Sequence, residues 1–181
     1  MDKASFPIVA GDQDDDTYLN QLEMNARAAV NALIEKGIGE KGKFAAGGKS
    51  YGAFMAVNLA AHTDLFATVI AQSGAYNRTL TPFGFQNETR TLWEKPQMYL
   101  KVSPFMYADK IKIPVLLIHG QEDNNAGTYT MQSERMFSAI KGNGGIARLV
   151  LLPYESHTYQ SEESNLHCAW EIITWLDKYL K

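Results

Sequence analysis

Three residues far apart in the chain have the types and spacing of a nucleophile, an acid and a base. Ser50 lies in Gly48-Lys49-Ser50-Tyr51-Gly52, a G-x-S-x-G pattern. That pattern sets a serine on a sharp strand-to-helix turn and lifts its hydroxyl out at the carboxyl end of a sheet. A serine hydroxyl is a weak nucleophile until a base takes its proton, and the base needs an acid to orient it. Asp123 follows the apolar run "IPVLLIHG", and His157 follows "RLVLLP". Both therefore fall at carboxyl ends of strands, on the edge where Ser50 stands and where sites of α/β proteins form. The order Ser, Asp, His is that of an α/β-hydrolase triad. The N–H of Tyr51, opening the following helix, would face a developing oxyanion. Glu122 is the alternative acid, with Asp123 preferred. His62 closes a helix and His167 rides on the last one. His119 sits in a strand end, where a structural hydrogen bond is expected.

The same glycines raise two other chemistries. Gly48-Lys49-Ser50 matches the end of a phosphate-binding loop, but the first glycine of that motif should be residue 43, which is lysine, and Gly42 is one place early. The apolar residues 44–46 would fall inside the loop instead of in the strand before it. Asp12, Asp14, Asp16 and Glu23 mimic positions of a calcium loop, but Thr17 stands where the turn needs glycine. An acidic loop and helix cap is the preferred reading.

The elements that must position the triad follow from periodicity. Leu19, Leu22, Ala26, Ala29, Val30 and Leu33 make one helical face, with Asp16 or Thr17 as its cap and the glycines of "KGIGEKG" as its end. "KFAAGG" is a short strand, "YGAFMAVNLAAH" a helix and "FATVIAQSG" a strand. Residues 75–110 form an irregular insert rich in proline and aromatics. "KIPVLLIHG" is a buried parallel strand, "TYTMQSERMFSAIKG" a helix, and "ARLVLLP" another buried strand. In the last helix Leu166, Ala169, Trp170, Ile173, Leu176 and Leu180 share a face. Strands alternating with helices predict an α/β fold with a mostly parallel sheet.

The 181 residues are enough for one domain with a real core. Formal net charge is -3, with 17 basic and 20 acidic residues, which fits neither a nucleic-acid partner nor a membrane surface. No apolar run is long enough to span a membrane. The opening "MDKASFPIVAGDQDDD" does not read as a secretory leader. The single cysteine, Cys168, is expected in the core.

Taken together, "GGKSYGAF", "SGAYNRTLTPFGFQNETRTLW", "SPFMYADKIKIPVLLIHGQEDNN" and "LLPYESHTY" resemble the catalytic domain of the prolyl oligopeptidase family of serine peptidases, most similar to its glutamyl endopeptidase branch. The resemblance runs over roughly residues 5–180. It implies an α/β-hydrolase fold, with residues 1–181 as a single, partial peptidase domain apparently lacking the first four strands. It implies Ser50 as nucleophile, Asp123 as acid and His157 as general base. It implies Asn125 as a contact to the substrate backbone. Substrates would be peptides, with cleavage after glutamate the expected preference, and no metal or organic cofactor is implied. The tyrosine hydroxyl that completes the family's oxyanion hole would lie in the absent strands, leaving the Tyr51 N–H. Arg78 and Arg90, in the insert, could pair with a substrate glutamate, the bland alternative being surface salt bridges. Phe83, Phe85, Trp93, Phe105 and Tyr107 would line a pocket or pack the insert. The "KFAAGG" strand would become a sheet edge, open to self-association or to a missing N-terminal half. A catalytically silent domain that pairs through this edge, and a small serine esterase, are the alternative readings.

Overall fold

A computed structural model describes residues 17–86 and 88–180 of the chain. Four parallel strands form one sheet in the order β1-β2-β3-β4: Ala45–Lys49, Thr68–Gln72, Val115–Gly120 and Ala147–Leu152. Five helices connect or flank them: α1 (Tyr18–Glu35), α2 (Tyr51–His62), α3 (Pro96–Val102), α4 (Met131–Gly142) and α5 (Glu162–Tyr179).

The period of two along each strand divides the core into two layers. Val69, Ala71, Val115 and Leu117 face α1, α2 and α4, where Phe54, Val57 and Met136 are fully buried. Ile70, Leu116, Ile118, Val150 and Leu152 face α5, against Cys168 and Trp175. β3 is buried along its whole length because both its faces are covered, which is why it reads as an unbroken apolar run. Trp175 Nε1 donates to Thr68 Oγ1 at 2.7 Å and ties α5 to β2. On the β1 side, α2 is buried nearly all round, lying between the sheet, α1 and the 104–110 turn. Truncating Phe54 to alanine there would cost about 3–5 kcal/mol.

Several elements depart from the sequence reading. The insert is more helical than expected. It carries α3 and two 3₁₀ segments, Arg78–Leu80 and Pro104–Lys110, started by prolines at helix entry or by an Asn77 cap. Thr17 begins α1 without capping it; its hydroxyl accepts from Gln21 Nε2 at 2.7 Å instead. Asp12, Asp14 and Asp16 lie outside the described residues, and Glu23 pairs with Arg27 at 2.8 Å. The face assigned to α5 is only partly the buried one: Leu176 packs on the core, but Leu166, Trp170 and Ile173 are 57–62% exposed, while Cys168, Glu171 and Trp175 are buried. A charged residue at position 171 hid the true stripe. Its carboxylate is held by Arg148, with Nε at 2.7 Å. Cys168 is buried and free, as expected. No helix among the described residues is long and apolar enough to cross a membrane.

Candidate active site

The turn after β1 has the geometry a strained elbow requires. Ser50 holds φ 57° and ψ -117°, a conformation costly for a side-chain-bearing residue, and α2 begins at the next position. The Ser50 N–H donates to Gln72 O at 2.8 Å, continuing the β1–β2 ladder into the turn. The two flanking glycines differ. A Cβ on Gly48 would stand 2.5 Å from the carbonyl carbon of Gly52, so only glycine fits there. A Cβ on Gly52 would meet nothing within 4 Å among the described residues, so only Gly48 is sterically required. Tyr51 is the first residue of α2, so its N–H lies at the positive end of that helix.

Asp123 and His157 are in direct contact. Asp123 is buried, and its Oδ2 accepts from His157 Nδ1 at 2.8 Å. Because the carboxylate accepts, the Nδ1 of His157 carries the hydrogen and Nε2 is left as the basic nitrogen. Thr128 Oγ1 lies 3.1 Å from the same Nδ1 and 3.4 Å from Asp123 Oδ1. The Asn125 N–H donates to Asp123 Oδ1 at 3.0 Å, and its side-chain amide donates to Thr128 Oγ1 at 3.1 Å. Glu122, the alternative acid, is exposed, and its N–H donates to Glu155 O at 2.9 Å. Among the described residues no hydrogen bond joins Ser50 Oγ to His157. Such bonds are often long in unliganded sites and tighten around substrate.

The loop carrying His157 starts at β4, far across the sheet from β1, and specific contacts draw it back. Tyr159 OH lies 2.8 Å from Ser73 Oγ and donates to Ile118 O at 3.1 Å. Lys49 Nζ sits 4.4 Å above the Tyr159 ring, so the residue before Ser50 touches the segment just after His157. A Cβ on Gly120 would overlap the Glu155 and Ser156 carbonyl oxygens, so the β3 and β4 loops lie close together only because residue 120 is glycine. Glu155 fixes the loop from within. Its carboxylate accepts from Ser161 Oγ at 2.6 Å, Gln160 N at 2.7 Å and Ser161 N at 3.0 Å. These bonds, the Ser161 hydroxyl first, draw its pKa down to about 2.

Arg78 is not the surface salt bridge of the bland alternative. It is 5% exposed, and its guanidinium carbon lies 4.1 Å from the Phe54 ring centre, 4.4 Å from Phe85 and 5.5 Å from Tyr51. Burial pushes the guanidinium down to about 10, with Tyr51 opposing, so it stays protonated at neutral pH. Burial also raises the Tyr51 phenol to about 12, leaving a neutral wall. Among the described residues no carboxylate pairs with Arg78, and its buried Nε has no acceptor. Arg90 is different: its Nε and terminal nitrogen reach the Glu88 carboxylate at 2.8 and 2.6 Å. Phe83 and Trp93 pair with tilted rings at 5.4 Å in the open, whereas Phe105 and Tyr107 pack against the core.

Two residues escaped the sequence reading. Gln132, buried on α4, accepts from Tyr76 N and Asn77 N at 3.0 and 2.9 Å and donates to Gly127 O at 3.0 Å. It clamps the segment before Arg78 to the acid loop. Thr128 bridges Asp123 and His157. Neither is marked by a motif; only a buried polar residue in an otherwise periodic helix hinted at Gln132. His167 is half-exposed at 3.5 Å from Glu171, and His62 packs on Tyr107 at 4.4 Å.

The fold has solved counterparts. Pyrococcus horikoshii acylaminoacyl peptidase superposes with a TM-score of 0.77 at 23% identity, over 88% of this chain and 28% of that one. A Mycobacterium tuberculosis puromycin-hydrolyzing peptidase gives 0.75 at 23% identity, over 85% and 24%. These likenesses establish the class as an α/β-hydrolase fold. The model of the prolyl oligopeptidase family matches residues 24–181, and the chain belongs to that family. It is 57% identical over 178 residues to a probable chloroplastic glutamyl endopeptidase of Arabidopsis thaliana and 56% identical to the one of Oryza sativa. In both cases 97% of this chain is matched, and the chain spans 18% and 19% of the lengths of these relatives.

Proposed function

We propose that this chain carries the triad of a serine peptidase: Ser50 as nucleophile, His157 as general base and Asp123 as the acid that orients it. The observation that carries the reading is the joint one of a strained serine turn and a histidine–carboxylate pair on the same sheet edge. In this reading His157 Nε2 takes the Ser50 proton as the oxygen attacks the substrate carbonyl. The Tyr51 N–H, at the start of α2, binds the oxyanion. The imidazolium returns the proton to the leaving amine, and water then hydrolyses the acyl-enzyme. No metal or organic cofactor enters this chemistry.

The substrate is a peptide with glutamate before the cleaved bond. Arg78, buried among the rings of Phe54, Phe85 and Tyr51, the last adjacent to Ser50, and without a carboxylate partner among the described residues, supports this preference. Two relatives of high identity are named as probable glutamyl endopeptidases. Asn125, exposed beside the acid, is assigned to the substrate backbone. Residues 1–181 are assigned to one partial peptidase domain.

The deciding experiment labels the purified 181-residue chain with a fluorophosphonate, beside Ser50→Ala and His157→Ala. Labelling lost in both variants is expected; labelling that survives Ser50→Ala sinks the assignment. Peptide and ester turnover compared on the same chain separates a peptidase from an esterase.

One observation favours a second property. β1 has no strand on its outer side among the described residues, so its ladder is open to a second copy or to further strands. Light scattering behind size exclusion tests self-pairing, which a monomer at all concentrations would refute.

A further inference from the structure

The acid of the site has a second imidazole on it. His119, fully buried at the end of β3, places Nε2 2.9 Å from Asp123 Oδ2, the same oxygen that accepts from His157. The same Nε2 is 2.6 Å from the Thr128 carbonyl oxygen. A carbonyl only accepts, so Nε2 must carry a hydrogen, which it shares between Thr128 O and Asp123 Oδ2. The other nitrogen, Nδ1, lies 2.6 Å from Ser133 Oγ, whose hydroxyl hydrogen completes the arrangement by pointing at it. The tautomer is therefore fixed from both ends, by a carbonyl on one side and a hydroxyl on the other. The charged and titratable groups facing the ring are Asp123 on its own loop and His157 from the β4 loop; α4 contributes only Ser133. Burial holds His119 below the usual histidine range, against the pull of Asp123.

We infer that His119 is a positioning residue for the triad: as a neutral ring donating from Nε2, it holds the Asp123 carboxylate in the rotamer that meets His157 and takes up part of its charge. This rests on the triad proposed above but is separable from it. Asp123 Oδ1 is held from its own loop by Asn125 N and Thr128 Oγ1, and His119 supplies the donor from the sheet. Without it, Oδ2 would keep only His157 as a donor among the described residues, and less of the carboxylate's charge would be compensated locally. It would then hold a proton on the neighbouring imidazole to higher pH.

The test compares the wild-type chain with His119→Leu, His119→Gln and Ser133→Ala. Imidazole nitrogen NMR should find His119 neutral, hydrogen on Nε2, from pH 5.5 to 8, and Ser133→Ala should release that single tautomer. Fluorophosphonate labelling of His119→Leu should slow by about ten- to hundredfold, the scale of a misplaced functional group. Its acid limb should move up by about half a pH unit. His119→Gln, whose amide can donate to both oxygens, should restore the rate to within about threefold. A ring with hydrogen on Nδ1, or one that gains charge within that pH range, overturns the inference. So does a Leu variant with unchanged rate and pH profile, or a Gln variant as slow as Leu. Should the wild-type chain not label at all, the peptidase reading falls, and the tautomer measurement still decides the role of His119 beside Asp123.

Discussion

The two halves of the site are built on opposite plans. On the β3–β4 side both carboxylate oxygens of Asp123 have donors, from His157, His119, Asn125 and Thr128, and Glu155 binds the loop that carries His157. On the β1 side Ser50 is held by backbone strain and by the approach of Gly48 to Gly52, and Arg78 is a buried cation with aromatic walls and no counter-ion. A saturated network fixes one geometry, since any rearrangement leaves a buried polar group unpaired. An unsaturated buried cation is costly by itself and becomes favourable when an anion arrives. In the proposed reading, the Asp123–His157 arm is positioned by the protein itself, and the Ser50–Arg78 arm is the one a substrate would complete.

The sharpest way to break this contrast is at the glycine of close approach. Gly48→Ala places a methyl group against the Gly52 backbone, so fluorophosphonate labelling should fall by about a hundredfold or more. Labelling near wild type would mean that the turn is not sterically determined. Next in size is Arg78. Arg78→Ala should reduce the preference for Glu over Ala before the cleaved bond by about ten- to hundredfold, the worth of a lost charged hydrogen bond. Turnover of the Ala peptide should change far less, and an unchanged Glu preference sinks the assignment. Arg78→Met should raise the thermal midpoint by about 2–4 °C, since an unpaired buried charge is replaced by apolar packing. A lower midpoint would show that the cation–π contacts outweigh desolvation.

A pH experiment probes the saturated side. The Glu155 carboxylate has its folded pKa lowered from 4.5 to about 2, so its contribution to stability is complete above the ordinary carboxylate range. It is lost as pH falls from about 4.5 towards about 2. Amide exchange at Gln160 and Ser161 should accelerate across that window, after correction for intrinsic rates, and Glu155→Gln should flatten the dependence. Equal dependence in both proteins would place the effect elsewhere. The smallest change is expected for Gly52→Ala, whose methyl group has room: labelling should stay within about threefold, against the collapse at Gly48.

Much of the site was legible because its chemistry lies in local patterns. Glycines two places before and after Ser50, and Asp123 and His157 just beyond apolar runs, mark strand ends without any knowledge of packing. Three of the four strands fall within the runs read from the sequence, β1 extends one residue past its run to Lys49, and their order in the chain gives the parallel sheet. The α5 stripe was misread because Leu166, Trp170 and Ile173 have helical spacing and apolar character, yet face outward. The buried stripe includes Glu171, a residue that periodicity cannot assign to a core unless its partner Arg148 on β4 is known. His119 looked structural because its partners lie further along the chain, at residues 123, 128 and 133, and meet only when the loop closes over it.

Residue type and spacing over a few positions were enough for the fold class, for Ser50 on its turn, and for Asp123 and His157 just past strand ends. It took the packing of distant segments to show that Arg78 is buried with no carboxylate partner among the described residues, that Gly48 but not Gly52 is sterically required, and that Asp123 lies between two imidazoles. Each of these depends on which groups from distant segments come within bonding distance, and on how much water the packing removes between them.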